Sequence, residues 1–189
     1  MTQRAVQGMT LTEAGCALLH FLVDGLCACC LFLLADGAGD FSLLGVFVAY
    51  NVLAFLTQPL TGMLADSVRQ PELLLQGSVA LLALGVASSS LLASHLSLLA
   101  PLFLGMGNSL FHVWGGRHVA VATGNDIRAL GVFVSTGAFG LAVGMVLHSW
   151  WLLYSLLAVL ALSVICILRV LPCSPPKTVA LPDKPWLVW

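Results

Sequence analysis

Six apolar runs, each long enough to cross a bilayer and parted by short polar breaks, constrain this chain more than any other feature. They cover residues 11–35, 41–62, 72–93, 96–122, 129–147 and 150–171. A transmembrane helix needs about 20 largely apolar residues. In lipid every backbone amide and carbonyl must be satisfied within its own segment, so runs of this length fold as helices. The breaks carry turn formers, such as Asp36-Gly37-Ala38-Gly39-Asp40 and the stretch 66–71 with its closing proline. Only 8% of the 189 residues are charged and 60% are hydrophobic, against about 25% charged in soluble domains. The expected fold is therefore an all-α membrane protein of six transmembrane helices. A net charge of −1 offers no basis for nucleic-acid binding.

The basic residues orient those helices. Arg4, Arg69, Arg117, Arg128, Arg169, Lys177 and Lys184 all fall on one side of a six-span path, and the three opposite loops contain no Lys or Arg. Positive charge collects on the cytoplasmic side, so both termini are expected there, in an inner (cell) membrane. Trp150 and Trp151 fit an interfacial aromatic belt at the outer start of the sixth helix. A cleaved signal peptide is not expected, because the first run is too long and is interrupted by His20 and Asp24. Residues 1–171 read as one transmembrane domain. Residues 172–189, with five prolines, read as an extended cytoplasmic tail. The cluster Cys27, Cys29 and Cys30 lacks the four closed ligands of a structural zinc site and reads as small packing residues. No metal site, cofactor or catalytic centre is expected.

Function is sought where polar side chains lie deep in these runs, because placing them there is costly. His20 and Asp24 are spaced i to i+4 on the first helix, about 40° apart around its axis. A carboxylate at that depth must be protonated or paired, and the imidazole one turn away is a suitable partner. Asn51 lies near the middle of the second helix, Asn108 and His112 on the fourth, and Ser135-Thr136 on the fifth. If these helices face a common cavity, the residues form one polar belt at the midplane, where transporter sites sit. For each residue alone, an interhelical packing hydrogen bond is the plain alternative. Gly137, Gly140 and Gly144 have the spacing that lets two helices approach closely, and read as packing.

Gly62-Met63-Leu64-Ala65-Asp66, after the second helix, resembles the Gly-x-Leu-Ala-Asp core of the loop signature of the major facilitator superfamily. His20-Phe21-Leu22-Val23-Asp24, Gln58-Pro59, Ser109-Leu110-Phe111-His112 and the run Arg128…Gly137…Gly144 are similar to the first half of fosmidomycin-resistance-type efflux transporters. The departures are a loop with one remaining basic residue, Arg69, and Val113-Trp114 where that family has Pro-Glu. The resemblance implies half of a major-facilitator fold and alternating access of two six-helix units about a midplane cavity. It implies that Asp24 carries a coupling proton tuned by His20 and His112, while Asn51, Asn108, Ser135 and Thr136 meet the substrate. It also implies a cytoplasmic latch in which Asp66 meets Arg117, with Gly62, Arg69 and Arg128 around it.

One half alone would leave Asp24 and His112 facing lipid. A second six-helix unit is therefore the expected partner, most simply a second copy related by two-fold symmetry, along with membrane lipid and a small-molecule substrate. The expectation is a half-size, proton-coupled secondary transporter rather than an enzyme. An intramembrane protease would need a Gly-x-Ser-Gly motif, which Gly107-Asn108-Ser109-Leu110 lacks, and a base opposite the serine. A non-transporting scaffold or regulatory subunit derived from a transporter half is the remaining alternative.

Overall fold

The computed structural model describes residues 11–36, 40–68, 70–91, 99–124 and 126–170, and these are helical apart from their turns, with no strand among them. Arg69 of the expected latch and the tail at 172–189 lie outside the described residues. In chain order the helices are α1 (Leu11–Asp36), α2 (Asp40–Asn51), α3 (Gln58–Ser67), α4 (Glu72–Leu91), α5 (Ala100–Thr123), α6 (Ile127–Val146) and α7 (Trp150–Val170), with a π-helical turn, Val52–Leu56, between α2 and α3. By length and apolarity α1, α4, α6 and α7 can each cross a membrane, and the bent α2–α3 pair brings the described total to five. The expected fourth run is present as α5. Its Asn108, His112, Arg117 and His118 dilute its hydropathy, which is why apolarity alone does not single it out as a span.

Helix α1 is the hub. It packs on α2, α4, α5, α6 and α7. Residues 22–31 are all buried except Asp24. Its closest neighbour is α6, and glycine makes that approach possible. A Cβ on Gly140 would strike the carbonyl of Phe21, and one on Gly144 would strike the carbonyl of Gly25. In return, a Cβ on Gly25 would lie 3.1 Å from the Gly140 carbonyl oxygen. Helices that pack backbone to backbone need small residues at the seam.

The pairing of α4 with α5 works the same way. Gly107 sits against Ser78 and Leu82, and the Ser78 hydroxyl donates to the Gly107 carbonyl at 2.7 Å. This buried bond fixes α5 one residue before Asn108. Gly124 ends α5 in the left-handed conformation at φ 62°. Asp126 then caps α6 by accepting from the Arg128 amide at 2.9 Å.

The second run is not the continuous helix expected over 41–62. It bends by 40° between its two halves. Pro59 is the cause. It has no N–H for the carbonyl four residues back, and its ring crowds that carbonyl. The chain upstream widens into the π turn, and side chains supply the missing donors. Thr57 Oγ1 donates to the Leu53 carbonyl at 2.5 Å, and Gln58 Nε2 to the Ala54 carbonyl at 3.0 Å. A broken helix within a membrane-length segment is tolerable when its freed carbonyls are satisfied in this way.

Cys27, Cys29 and Cys30 are buried and separately engaged. The Cys29 thiol donates to the Ser149 carbonyl at 3.5 Å, and the Cys30 thiol to Ser89 Oγ at 3.4 Å. They do not converge on a common point.

Candidate functional site

Asp24 lies near the middle of α1, and Asn108 and His112 near the middle of α5. The i to i+4 spacing puts His20 over Asp24 on one helix and Asn108 under His112 on the other. Contact between α1 and α5 brings the two pairs together. Asp24 Oδ2 is 3.1 Å from His20 Nε2, and Asp24 Oδ1 is 3.2 Å from His112 Nε2. The Asn108 side-chain amide donates to Asp24 Oδ1 at 2.9 Å. The two imidazoles meet edge to face, with their Nε2 atoms 3.2 Å apart.

Protons in this cluster are constrained by what can donate. His20 Nδ1 lies 2.7 Å from the Phe133 carbonyl oxygen. A carbonyl only accepts, so Nδ1 carries the hydrogen and Nε2 of the neutral ring holds a lone pair. His112 Nε2, within reach of both that lone pair and Asp24, then supplies the shared hydrogen. A further proton on His20 Nε2 would let it donate to Asp24 as well.

The supporting contacts come from α6. The Phe133 carbonyl, already in the α6 backbone ladder, also accepts from Thr136 Oγ1 at 2.8 Å. Gly137, one helical turn on, lies beneath the His20 ring, where any Cβ would collide with it. Gly137 thus makes room for an ionisable residue, a role distinct from the backbone contacts of Gly140 and Gly144. Phe111 and Phe133 flank the His20 ring at centroid distances of 5.7 and 4.2 Å. His20 is buried, whereas the side chains of Asp24 and His112 stay 12% and 19% exposed. Phe55, itself half exposed, stands edge-on to His112 at 6.1 Å on that open side.

The expected midplane belt thus divides. Asp24, His20, Asn108 and His112 converge. Asn51 is exposed and donates to the Phe47 carbonyl of its own helix at 2.7 Å. Ser135 is exposed and donates to Gly131, and Thr136 to Phe133, both within α6. Hydroxyls and amides four residues from a carbonyl commonly satisfy their own helix in this way.

Three hydroxyls missing from the expected set form a second polar group. Ser109 Oγ lies 3.0 Å from Thr57 Oγ1, whose own hydrogen goes to the Leu53 carbonyl, and 3.1 Å from Thr61 Oγ1. Ser109 follows Asn108, so this group adjoins the His–Asp–His cluster across the bend. Pro59 was the one signal that could have found it, because a proline in mid-run forces side chains to replace backbone donors. Two buried polar atoms, Asn108 Oδ1 and Trp114 Nε1, have no hydrogen-bond partner among the described residues.

At the helix ends, Arg117 Nη1 donates to the Ala65 carbonyl at 3.0 Å and to Asp66 Oδ1 at 3.3 Å, tying α5 to the end of α3. Arg128 does not join them. It pairs with Asp126 of its own cap at 3.1 Å. A Cβ on Gly62 would meet nothing within 4 Å, so this glycine is not holding a close contact. At the opposite end, His148 Nε2 reaches Asp36 Oδ2 at 3.1 Å, linking the end of α1 to the α6–α7 turn. Compared with protein-family models, with curated proteins and with solved structures, the chain matches none.

Proposed function

We propose that this chain is one half of a two-unit membrane carrier of major-facilitator type, moving a small solute coupled to protons by alternating access. In this reading it has six spans, with both termini cytoplasmic. The α2–α3 pair counts as one span and α5, with its polar interior, as another. Asp24, His20 and His112 carry the coupling proton, and Asn108 Oδ1, without a hydrogen-bond partner among the described residues, offers an acceptor to the solute once the cavity opens. The Arg117–Asp66 bridge holds one conformation closed at the cytoplasmic end.

One observation carries this reading: the His–Asp–His cluster lies at mid-helix yet keeps Asp24 and His112 partly exposed. Ionisable groups at that depth do not face hydrocarbon. They face water or another protein surface. A second six-helix unit set against the Phe55–His112 face would enclose that water between the halves, and a second copy is the simplest such unit.

The test is reconstitution into vesicles with a pH-sensitive dye inside. Wild-type protein should show solute-dependent proton movement. Asp24→Asn should abolish it, and Ser88→Ala, which alters a hydroxyl bonded only to its own helix, should not. No proton movement from well-reconstituted wild-type protein across a broad solute panel would favour the scaffold alternative. In mild detergent the protein should migrate as a dimer, and a transporting monomer would overturn the two-unit arrangement.

A further inference from the structure

We infer that His20, Asp24 and His112 form a binding site for one divalent transition-metal ion of the zinc and cobalt type. The ligand atoms already stand at coordination spacing. His20 Nε2 and His112 Nε2 are 3.2 Å apart, and the carboxylate faces both, with Oδ2 3.1 Å from the first and Oδ1 3.2 Å from the second. In a tetrahedral site with bonds of about 2.0–2.1 Å, ligand atoms stand about 3.3–3.4 Å apart. The three side chains therefore already stand close to the spacing that one shared ion requires. Taking one ligand atom from each residue, the three atoms lie within 4.8 Å of one another.

The surroundings are those of a metal site. His20 donates its Nδ1–H to the Phe133 carbonyl, which fixes its tautomer and aims the Nε2 lone pair at Asp24 and His112. The ion takes the place of the hydrogen that His112 Nε2 shares, leaving His112 as its Nδ1–H tautomer. The Asn108 amide holds Asp24 Oδ1 from outside. Gly137 leaves the space in which the His20 ring is locked. Three protein ligands leave a fourth position, and the partial exposure of Asp24 and His112 places it on the open side, giving the ion a way in.

The donor set also selects the ion. Two imidazoles and one carboxylate suit zinc, cobalt, nickel or copper. Magnesium and calcium require six or more oxygens and are disfavoured. No cysteine takes part: among the described residues this is the only group of three or more His, Cys, Asp or Glu side chains with such spacing. The inference stands on the cluster alone. Binding is measured on purified protein without a membrane gradient, so failure to transport leaves it intact and failure to bind leaves the carrier reading intact.

Co2+ titrated into the detergent-purified full chain is the test. Wild-type protein should bind one ion per chain, with the visible absorption of four- or five-coordinate cobalt. Excess Mg2+ or Ca2+ should not displace it. His112→Gln should weaken binding by more than the about 10–100-fold that losing an outer-shell partner costs. His148→Gln, in the α6–α7 turn and paired with Asp36 at the far end of α1, should bind like wild type. X-ray absorption of the cobalt-loaded wild type should show nitrogen and oxygen neighbours with imidazole scattering, and this decides the matter even if His112→Gln does not fold. Sulfur in the first shell, unchanged affinity in a folded His112→Gln, or no binding by monodisperse wild-type protein would overturn the assignment.

Discussion

Nδ1 of His20 donates to the carbonyl oxygen of Phe133 across 2.7 Å, joining α1 to α6 at the buried centre of the molecule. The bond forms only because residue 137 has no side chain. Gly137→Ala should therefore drive the His20 ring from its place and cost about 1–3 kcal/mol of stability, the usual range for overpacking. Thermal unfolding in detergent would measure this. Gly116→Ala and Gly62→Ala, where an added Cβ meets nothing within 4 Å, should change little or stabilise slightly. Equal effects at all three positions would show that the α1–α6 seam is looser than drawn.

The backbone contacts along the same seam should be less forgiving. Gly140→Val and Gly144→Val place branched side chains against the carbonyls of Phe21 and Gly25, neither of which can move without shifting α1. Both variants are expected to lose more stability than Gly137→Ala, and to express poorly. Relative yield of monodisperse protein is the readout.

Asn108 tests the polarity of the cluster. Asn108→Ala removes a hydrogen bond to a carboxylate, worth about 1.5–3 kcal/mol. Asn108→Asp keeps the shape but sets a second carboxylate where an amide donated to Asp24 at 2.9 Å. At neutral pH the isosteric change should therefore be the more damaging, with the gap narrowing as the pH falls and the added carboxylate is protonated. Melting temperatures of the two variants over a pH series would reveal this order.

The bend in the second run predicts a change of shape rather than of stability alone. Pro59→Ala restores an N–H to the chain and removes the ring that crowds the preceding turn. The 40° bend should relax, and spin labels on the exposed positions Val48 and Met63 should move apart. An unchanged label distance would mean that the Thr57 and Thr61 bonds to Ser109 hold the bend without the proline.

The Arg117–Asp66 bridge is solvent-facing, with Asp66 81% exposed and Arg117 30% exposed. Such pairs contribute roughly 0–1 kcal/mol. Asp66→Asn should therefore have little effect on melting. Arg117→Gln also loses the bond to the Ala65 carbonyl and should cost more. If the bridge latches one conformation, both variants should alter transport rate well beyond their effect on stability.

Much of the site was legible in the chain. The i to i+4 spacings put His20 with Asp24 and Asn108 with His112 on single helix faces, and the depth of each pair followed from the run that holds it. The grouping of Asn51, Ser135 and Thr136 with them was not legible in the same way. Depth alone does not tell whether a short polar side chain faces a neighbour or turns back to its own backbone, and these three turn back. The Thr57–Thr61–Ser109 group stayed hidden because hydroxyls in an apolar run look like packing until a proline displaces the backbone that they serve.

The sequence by itself determined that this chain is helical and apolar enough for a membrane, because only backbone-satisfied segments of that length survive without water. It also determined which side chains could ionise at mid-helix. Only the tertiary structure decided that His20, Asp24, Asn108 and His112 meet at one point, across more than eighty residues of chain between α1 and α5. That meeting depends on how closely helices approach, and the approach is set by glycines at Gly107, Gly137, Gly140 and Gly144, whose partners lie on other helices and leave no trace in local periodicity.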